Sequence, residues 1–228
     1  ALAAWRVVPG RARHIYALTG SGAFRQLYHT ADGGGHWRSV GPAPGKPLHP
    51  ALAILPGLRT PSDLILLATD TRLQRSTDGG ATWAPGGPWS QAAADTPAGA
   101  AGEGETQIVA LLAESSAPEH LFILTESGRV WLSDSGGLAW RDALPAAAPV
   151  TALAIAPYFG IRAWAATTEG LAASMDSGAS WSLGPLPGGR SITALASDVR
   201  VPETLYAGVQ GGEVYRSDDS GATWTTLA

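Results

Sequence analysis

A tryptophan recurs at positions 37, 83, 140, 181 and 224, and each closes a related octapeptide. The first box reads Thr30-Ala31-Asp32-Gly33-Gly34-Gly35-His36-Trp37 and the second Ser76-Thr77-Asp78-Gly79-Gly80-Ala81-Thr82-Trp83. The fourth, ending at Trp181, and the fifth, ending at Trp224, carry Asp176 and Asp219 at the same place. The third, ending at Trp140, is degenerate: Ser135 holds the Asp position and Ala139 the Thr position. Five copies at steps of 46, 57, 41 and 43 residues mark a repeat architecture. In such a chain each unit buries its apolar face only against its neighbours.

The repeat extends upstream of the box. Ten residues before each tryptophan stand Leu27, Leu73, Val130, Leu171 and Val214, all apolar. One position earlier stand Gln26, Arg72, Arg129, Gly170 and Glu213, none with an apolar side chain. That alternation is a strand leading into the box. Before it lie a segment of strand formers, such as Leu64-Ile65-Leu66, and a strand of small residues, such as Ala152-Leu153-Ala154. With 29 Gly and 17 Pro the chain has little room for long helices. Four strands in about 45 residues predict an all-β, five-bladed β-propeller with four antiparallel strands per blade. The expected organisation is one domain, 1–228, with blades near 1–41, 47–86, 107–144, 149–184 and 191–228. Each blade supplies its own four strands, so the ring is expected to close by packing blade one on blade five.

The pattern Ser/Thr-x-Asp-x-Gly-x-Thr/Ser-Trp resembles the Asp-box (BNR) repeat of sialidases, xyloglucanase-type glycosidases, sortilin-type receptors and photosystem assembly factors. The resemblance implies that the boxes join the third and fourth strands, on the face away from the usual site. It gives Asp32, Trp37, Asp78, Trp83, Trp140, Asp176, Trp181, Asp219 and Trp224 a structural role. Chemistry agrees: an Asp in a tight turn accepts backbone N–H bonds, and a Gly two residues on permits an angle that a Cβ resists.

Composition narrows the function classes. Net charge is −4, without the basic surplus of a nucleic-acid binder. The absence of cysteine excludes disulfides and thiolate chemistry. No phosphate loop, metal-ligand spacing or nucleophile elbow occurs, so no cofactor, no metal site and no catalytic residue is assigned. The longest uncharged run, Ala143 to Ile161, is broken by three prolines, so no membrane-spanning helix is expected. The start Ala1-Leu2-Ala3-Ala4, without Met, suggests a processed, extracytoplasmic (periplasmic or secreted) chain.

Glycoside hydrolysis, the chemistry the resemblance makes natural, needs two carboxyl groups at one bond. The hairpins between second and third strands supply Asp70, Glu126, Glu169 and Glu213, but equivalent places around a disc are spread apart. Departures from the repeat supply candidate partner-binding residues instead. Trp89 lies in the long connection from Ala84 to Gln107, and Tyr158 and Phe159 lie in a loop of repeat four. Arg72 and Arg129 share one repeat position. The expected function is a non-enzymatic extracytoplasmic protein-interaction scaffold, or an accessory subunit of an envelope-associated assembly, with a protein partner. The alternatives are a lectin-like propeller that binds a glycan and a sialidase-like glycosidase.

Overall fold

The computed structural model describes residues 2–8, 11–21, 24–43, 52–55, 63–68, 73–87, 108–113, 117, 119–144, 148–156 and 162–227. Five four-stranded sheets follow one another, each built from strands consecutive in sequence. Blade one holds β1 (Leu2–Val8), β2 (Arg11–Ser21), β3 (Phe24–Thr30) and β4 (Arg38–Pro42). Blade two holds β5 (Leu52–Leu55), β6 (Leu64–Ala68), β7 (Leu73–Ser76) and β8 (Ala84–Gly86). Blade three holds β9 (Ile108–Ala113), β10 (Leu121–Thr125), β11 (Val130–Ser133) and β12 (Arg141–Asp142). Blade four holds β13 (Val150–Ile155), β14 (Ala163–Thr167), β15 (Leu171–Ser174) and β16 (Ser182–Gly184). Blade five holds β17 (Ile192–Ser197), β18 (Leu205–Val209), β19 (Val214–Ser217) and β20 (Thr225–Thr226). Every pairing within a blade is antiparallel. The predicted all-β propeller of five four-stranded blades is the fold observed.

The second strand of an inner blade lies between two neighbours, so both of its faces are buried. This explains why β10 reads Leu-Phe-Ile-Leu-Thr and β14 Ala-Trp-Ala-Ala-Thr, with every residue buried. Alternate side chains then serve alternate junctions. In β10, Leu121 and Ile123 pack back against Leu66 and Leu73 of blade two. Phe122 and Leu124 pack forward against Leu153 and Ala165 of blade four. Blades one and two share Leu18, Leu27, Ile65 and Leu67, and blades four and five share Trp164, Leu171, Leu205 and Ala207. Each large side chain fully buried here, such as Trp164 or Phe122, contributes about 2–3 kcal/mol of transfer free energy.

The seam expected between blade one and blade five depends on β1 side chains, most of which lie outside the described ones. Four apolar clusters fill four junctions, and among the described residues none joins blade five to blade one. In β18 only Leu205, Ala207 and Val209, the side facing blade four, are buried.

Candidate functional site

The boxes come first because the repeat is built on them. Asp78 accepts the Thr82 backbone N–H at 2.9 and 3.0 Å, the Thr82 hydroxyl at 2.5 Å and the Ser76 hydroxyl at 2.8 Å. Asp176 and Asp219 repeat this pattern with Ser180 and Thr223, and Asp32 accepts the His36 N–H at 3.0 Å. These bonds favour the carboxylate. The Ser180 hydroxyl and N–H hold Asp176 down to about 2, and the bonds from Thr82 and His36 hold Asp78 and Asp32 well below the ordinary range. In the degenerate third box the Ser135 hydroxyl accepts the Ala139 N–H at 2.8 Å. Its neighbour Asp134 turns outward to His120 at 3.3 Å and Arg141 at 3.8 Å. Asp carboxylates and a hydroxyl thus close the same turn.

The box tryptophans divide into two groups. Trp37 and Trp140 donate their indole N–H to the carbonyls of Gly34 and Gly137, each at 3.1 Å. The indole nitrogens of Trp83, Trp181 and Trp224 are buried without a hydrogen-bond partner. These rings are set by packing on the preceding blade, as when Trp181 meets Phe122 edge-on at 6.5 Å.

One buried acid had no signal in the repeat. Asp63 accepts the Tyr16 hydroxyl at 3.1 Å and pairs with Arg11 at 3.3 Å, tying blade one to blade two. Burial, together with the Asp63 charge, pushes the Tyr16 hydroxyl far above its usual range. His29 packs on Tyr16 with ring centroids 4.4 Å apart, and burial lowers its pKa. The group is closed on itself and serves the junction.

A cleft of about 390 Å³ lies between blades three and four. Leu144 forms one wall, and Glu169, Ser180, Trp181, Ser182 and Leu183 form the other. The β14–β15 hairpin places Glu169. Thr167 donates its N–H to the Gly170 carbonyl at 2.9 Å, and its hydroxyl accepts the N–H groups of Glu169 and Gly170 at 3.2 and 3.1 Å. The Glu169 side chain therefore projects from a rigid turn, and among the described residues its carboxylate has no ion-pair partner. Leu183 is 61% exposed at the lip. An indole and a leucine beside a carboxylate suit a ligand with one apolar face and a hydroxyl edge.

Glu126 and Glu213, also singled out from the sequence, do not line this cleft. Glu126 is exposed on its own hairpin. Glu213 is held by Arg190, and its own backbone N–H is the main cause of its lowered pKa. Arg129 pairs with Asp142 at 2.8 Å and lies 5.0 Å over the Trp131 ring, so its head group is engaged within blade three. Trp89, Arg72, Tyr158, Phe159 and Asp70 lie outside the described residues. Among the described residues no group of three or more His, Asp or Glu could hold a metal ion. No helix among them is long and apolar enough to cross a membrane.

No protein-family model matches the sequence, and no curated protein matches it. Solved structures do match. The GH74 xyloglucanase from Xanthomonas campestris is 20% identical, with a TM-score of 0.69, over 100% of this chain and 38% of that chain. The GH74 enzyme of Niastella koreensis is 17% identical, with a TM-score of 0.68, over 99% of this chain and 38% of that one. YCF48 from Cyanidioschyzon merolae is 15% identical, with a TM-score of 0.45, over 99% and 84%. The fold is the propeller fold of the GH74 structures, and this chain spans 38% of the two GH74 chains.

The expectation of a non-enzyme is corrected by this comparison. It rested on the scaffold accounting for nearly every recognisable residue. The same scaffold, over the whole of this chain, is present in GH74 enzymes. Boxes and junctions that hold blades together are compatible with catalytic groups on hairpins and loops, so they exclude nothing.

Proposed function

We propose that the chain is a carbohydrate-binding propeller whose site is the cleft between blades three and four. The observation that carries this reading is that Trp181 and Leu183 line one cleft with Glu169, whose carboxylate has no ion-pair partner among the described residues. A sugar ring offers a C–H face to these apolar side chains and hydroxyl donors to the carboxylate. The GH74 likeness favours a polysaccharide of the xyloglucan kind. The protein-scaffold reading names Trp89, Arg72, Tyr158 and Phe159, which lie outside the described residues, and Arg129, which pairs with Asp142.

Glycoside hydrolysis is the second reading, favoured by the full-length fold match to GH74 enzymes. Cleavage requires paired carboxyl groups at one bond, and Glu169 is the acid that lines the cleft. One titration series tests both readings. Xyloglucan oligosaccharides are titrated calorimetrically into the protein and into Glu169→Gln, and new reducing ends are counted. Binding weakened about tenfold by the substitution, as expected for loss of a charge-assisted hydrogen bond, supports the site. Reducing ends that vanish with Glu169→Gln assign hydrolysis. Binding unaffected by Glu169→Gln removes this cleft as the site.

A further inference from the structure

The polar side chains that line the cleft between blades three and four have no proton left to give a ligand. Three of them are hydroxyls, and a hydroxyl carries one proton. Ser180 donates its proton to the Asp176 carboxylate at 2.5 Å, Ser182 to the Ala173 carbonyl at 3.3 Å and Thr167 to the Gly170 carbonyl at 2.9 Å. Thr167 is spent altogether, because it also accepts the N–H groups of Glu169 and Gly170. The Trp181 indole nitrogen is buried. The other described lining residues are alanines, leucines and Glu169. Residues 145–147, between Leu144 and Ala148, read Pro-Ala-Ala and add no polar side chain. What these side chains offer is the lone pairs of Ser180 and Ser182 and the Glu169 carboxylate.

Charge points the same way. Among the described residues, no arginine, lysine or histidine lines the cleft. The arginines of blade three beside Ala143 and Leu144 are engaged with acids of their own. Arg129 pairs with Asp142 at 2.8 Å, and Arg141 reaches the Gly178 carbonyl at 3.1 Å and Asp134 at 3.8 Å. On the blade-four side neither Glu169 nor Asp176 has an ion-pair partner among the described residues. The Asp176 charge stands one hydrogen bond behind the Ser180 hydroxyl and keeps that proton turned inward.

We propose that the cleft selects sugars that carry an ammonium group, 2-amino-2-deoxy units of the glucosamine type, and turns away sugars that carry carboxylate or sulfate. The proposal rests on the carbohydrate-binding reading of this cleft and names the ligand class within it. An ammonium brings several donors and a positive charge. It pairs with Glu169, while hydroxyls of the same sugar donate to Ser180 and Ser182. A neutral sugar, xyloglucan included, brings hydroxyl protons without the charge and ranks below. An acidic sugar brings acceptors that meet no side-chain donor, and its charge faces Glu169 and Asp176.

β-1,4-Linked pentasaccharides that share one gluco-configured backbone test this: the glucose, glucosamine, N-acetylglucosamine and glucuronate pentamers. Each is titrated calorimetrically into the protein and into Glu169→Gln at about pH 5.5, where carboxylates are ionised and the sugar amine is protonated. The glucosamine pentamer is expected to bind about tenfold more tightly than the glucose pentamer, the gain of one charge-assisted hydrogen bond. The N-acetylated pentamer, which keeps the nitrogen and loses the charge, should match the glucose pentamer. The glucuronate pentamer should bind most weakly. Glu169→Gln should bring the glucosamine pentamer down to the glucose value. Glucose binding as tight as glucosamine binding, with both weakened by Glu169→Gln, overturns the ammonium selectivity and leaves the cleft as the sugar site. A glucosamine preference that survives in Glu169→Gln overturns it as well, since the charge is then read elsewhere. Binding of no pentamer, or binding of all that ignores Glu169→Gln, overturns the cleft reading and the selectivity with it. Glu169 is exposed on its turn, and the ranking of the pentamers on the unsubstituted protein needs no variant.

Discussion

Arg75 donates its Nε–H to the Gly136 carbonyl oxygen at 2.8 Å, joining the third strand of blade two to the box of blade three. Two junctions later Trp164 does the same, its indole N–H reaching the Ser220 carbonyl at 3.1 Å. Gly136 and Ser220 occupy one repeat position, so unrelated side chains satisfy one recurring acceptor. A carbonyl inside a turn that faces another blade has no strand partner, and the preceding blade must supply the donor.

Arg75→Ala removes that donor and leaves a partly buried carbonyl unpaired. The expected loss is about 1–3 kcal/mol of stability. It is read as a lowered denaturation midpoint at unchanged slope. A midpoint equal to that of the unsubstituted protein would show the spoke to be idle.

Asp78→Ala strips the second box of an acceptor for one backbone N–H and two hydroxyls. The expected loss is again about 1–3 kcal/mol. Glycan titration of the folded variant should match the unsubstituted protein, because the cleft lies between blades three and four. Lost binding at an unchanged midpoint would make the box a ligand site.

Acid should attack the boxes together. The folded pKa of Asp176 is near 2, below its unfolded value of 3.8, and Asp32, Asp78 and Asp219 are depressed likewise. A depressed carboxyl contributes stability that is full above the unfolded value and lost as pH falls through the folded one. The denaturation midpoint is therefore expected to drop between pH 4 and pH 2. Asp176→Asn should lower stability at neutral pH and make that acid limb shallower. An equally steep limb in the variant would place the acid sensitivity elsewhere.

What could be read from the sequence was what each repeat decides alone. Alternation around Leu73 and Val130 placed the strands, because side-chain direction in a strand is local. What could not be read was set by neighbours. Val214 matches Leu73 in position yet is 38% exposed where Leu73 is fully buried. Glu169 was legible as a hairpin carboxylate, but its cleft is not, since Leu144 and Leu183 come from different repeats. Arg75 was invisible as a spoke because its equivalents are His29, Leu132, Ala173 and Arg216. Asp63 stood outside any motif.

The residue after the box acid offers a stabilising change. It is left-handed in four blades at φ of 62–81° and in the third, after Ser135, at 64°. Blades one to three use Gly33, Gly79 and Gly136 there, whereas blades four and five use Ser177 (φ 66°) and Ser220 (φ 62°). An L residue with a Cβ in this region costs roughly 1–2 kcal/mol, and glycine returns part of that as unfolded-chain entropy. Ser177→Gly is therefore expected to raise stability by about 1 kcal/mol. The effect of Ser220→Gly should be similar and additive, because the two turns share no contact. The opposite change, Gly80→Ala, meets both obstacles. Its φ is +99°, and the new Cβ would stand 2.5 Å from Leu27 Cδ2. It should lower the midpoint by more than either serine replacement raises it. Equal and opposite shifts would mean that backbone strain alone governs the turn and that the packing of the box on Leu27 is loose.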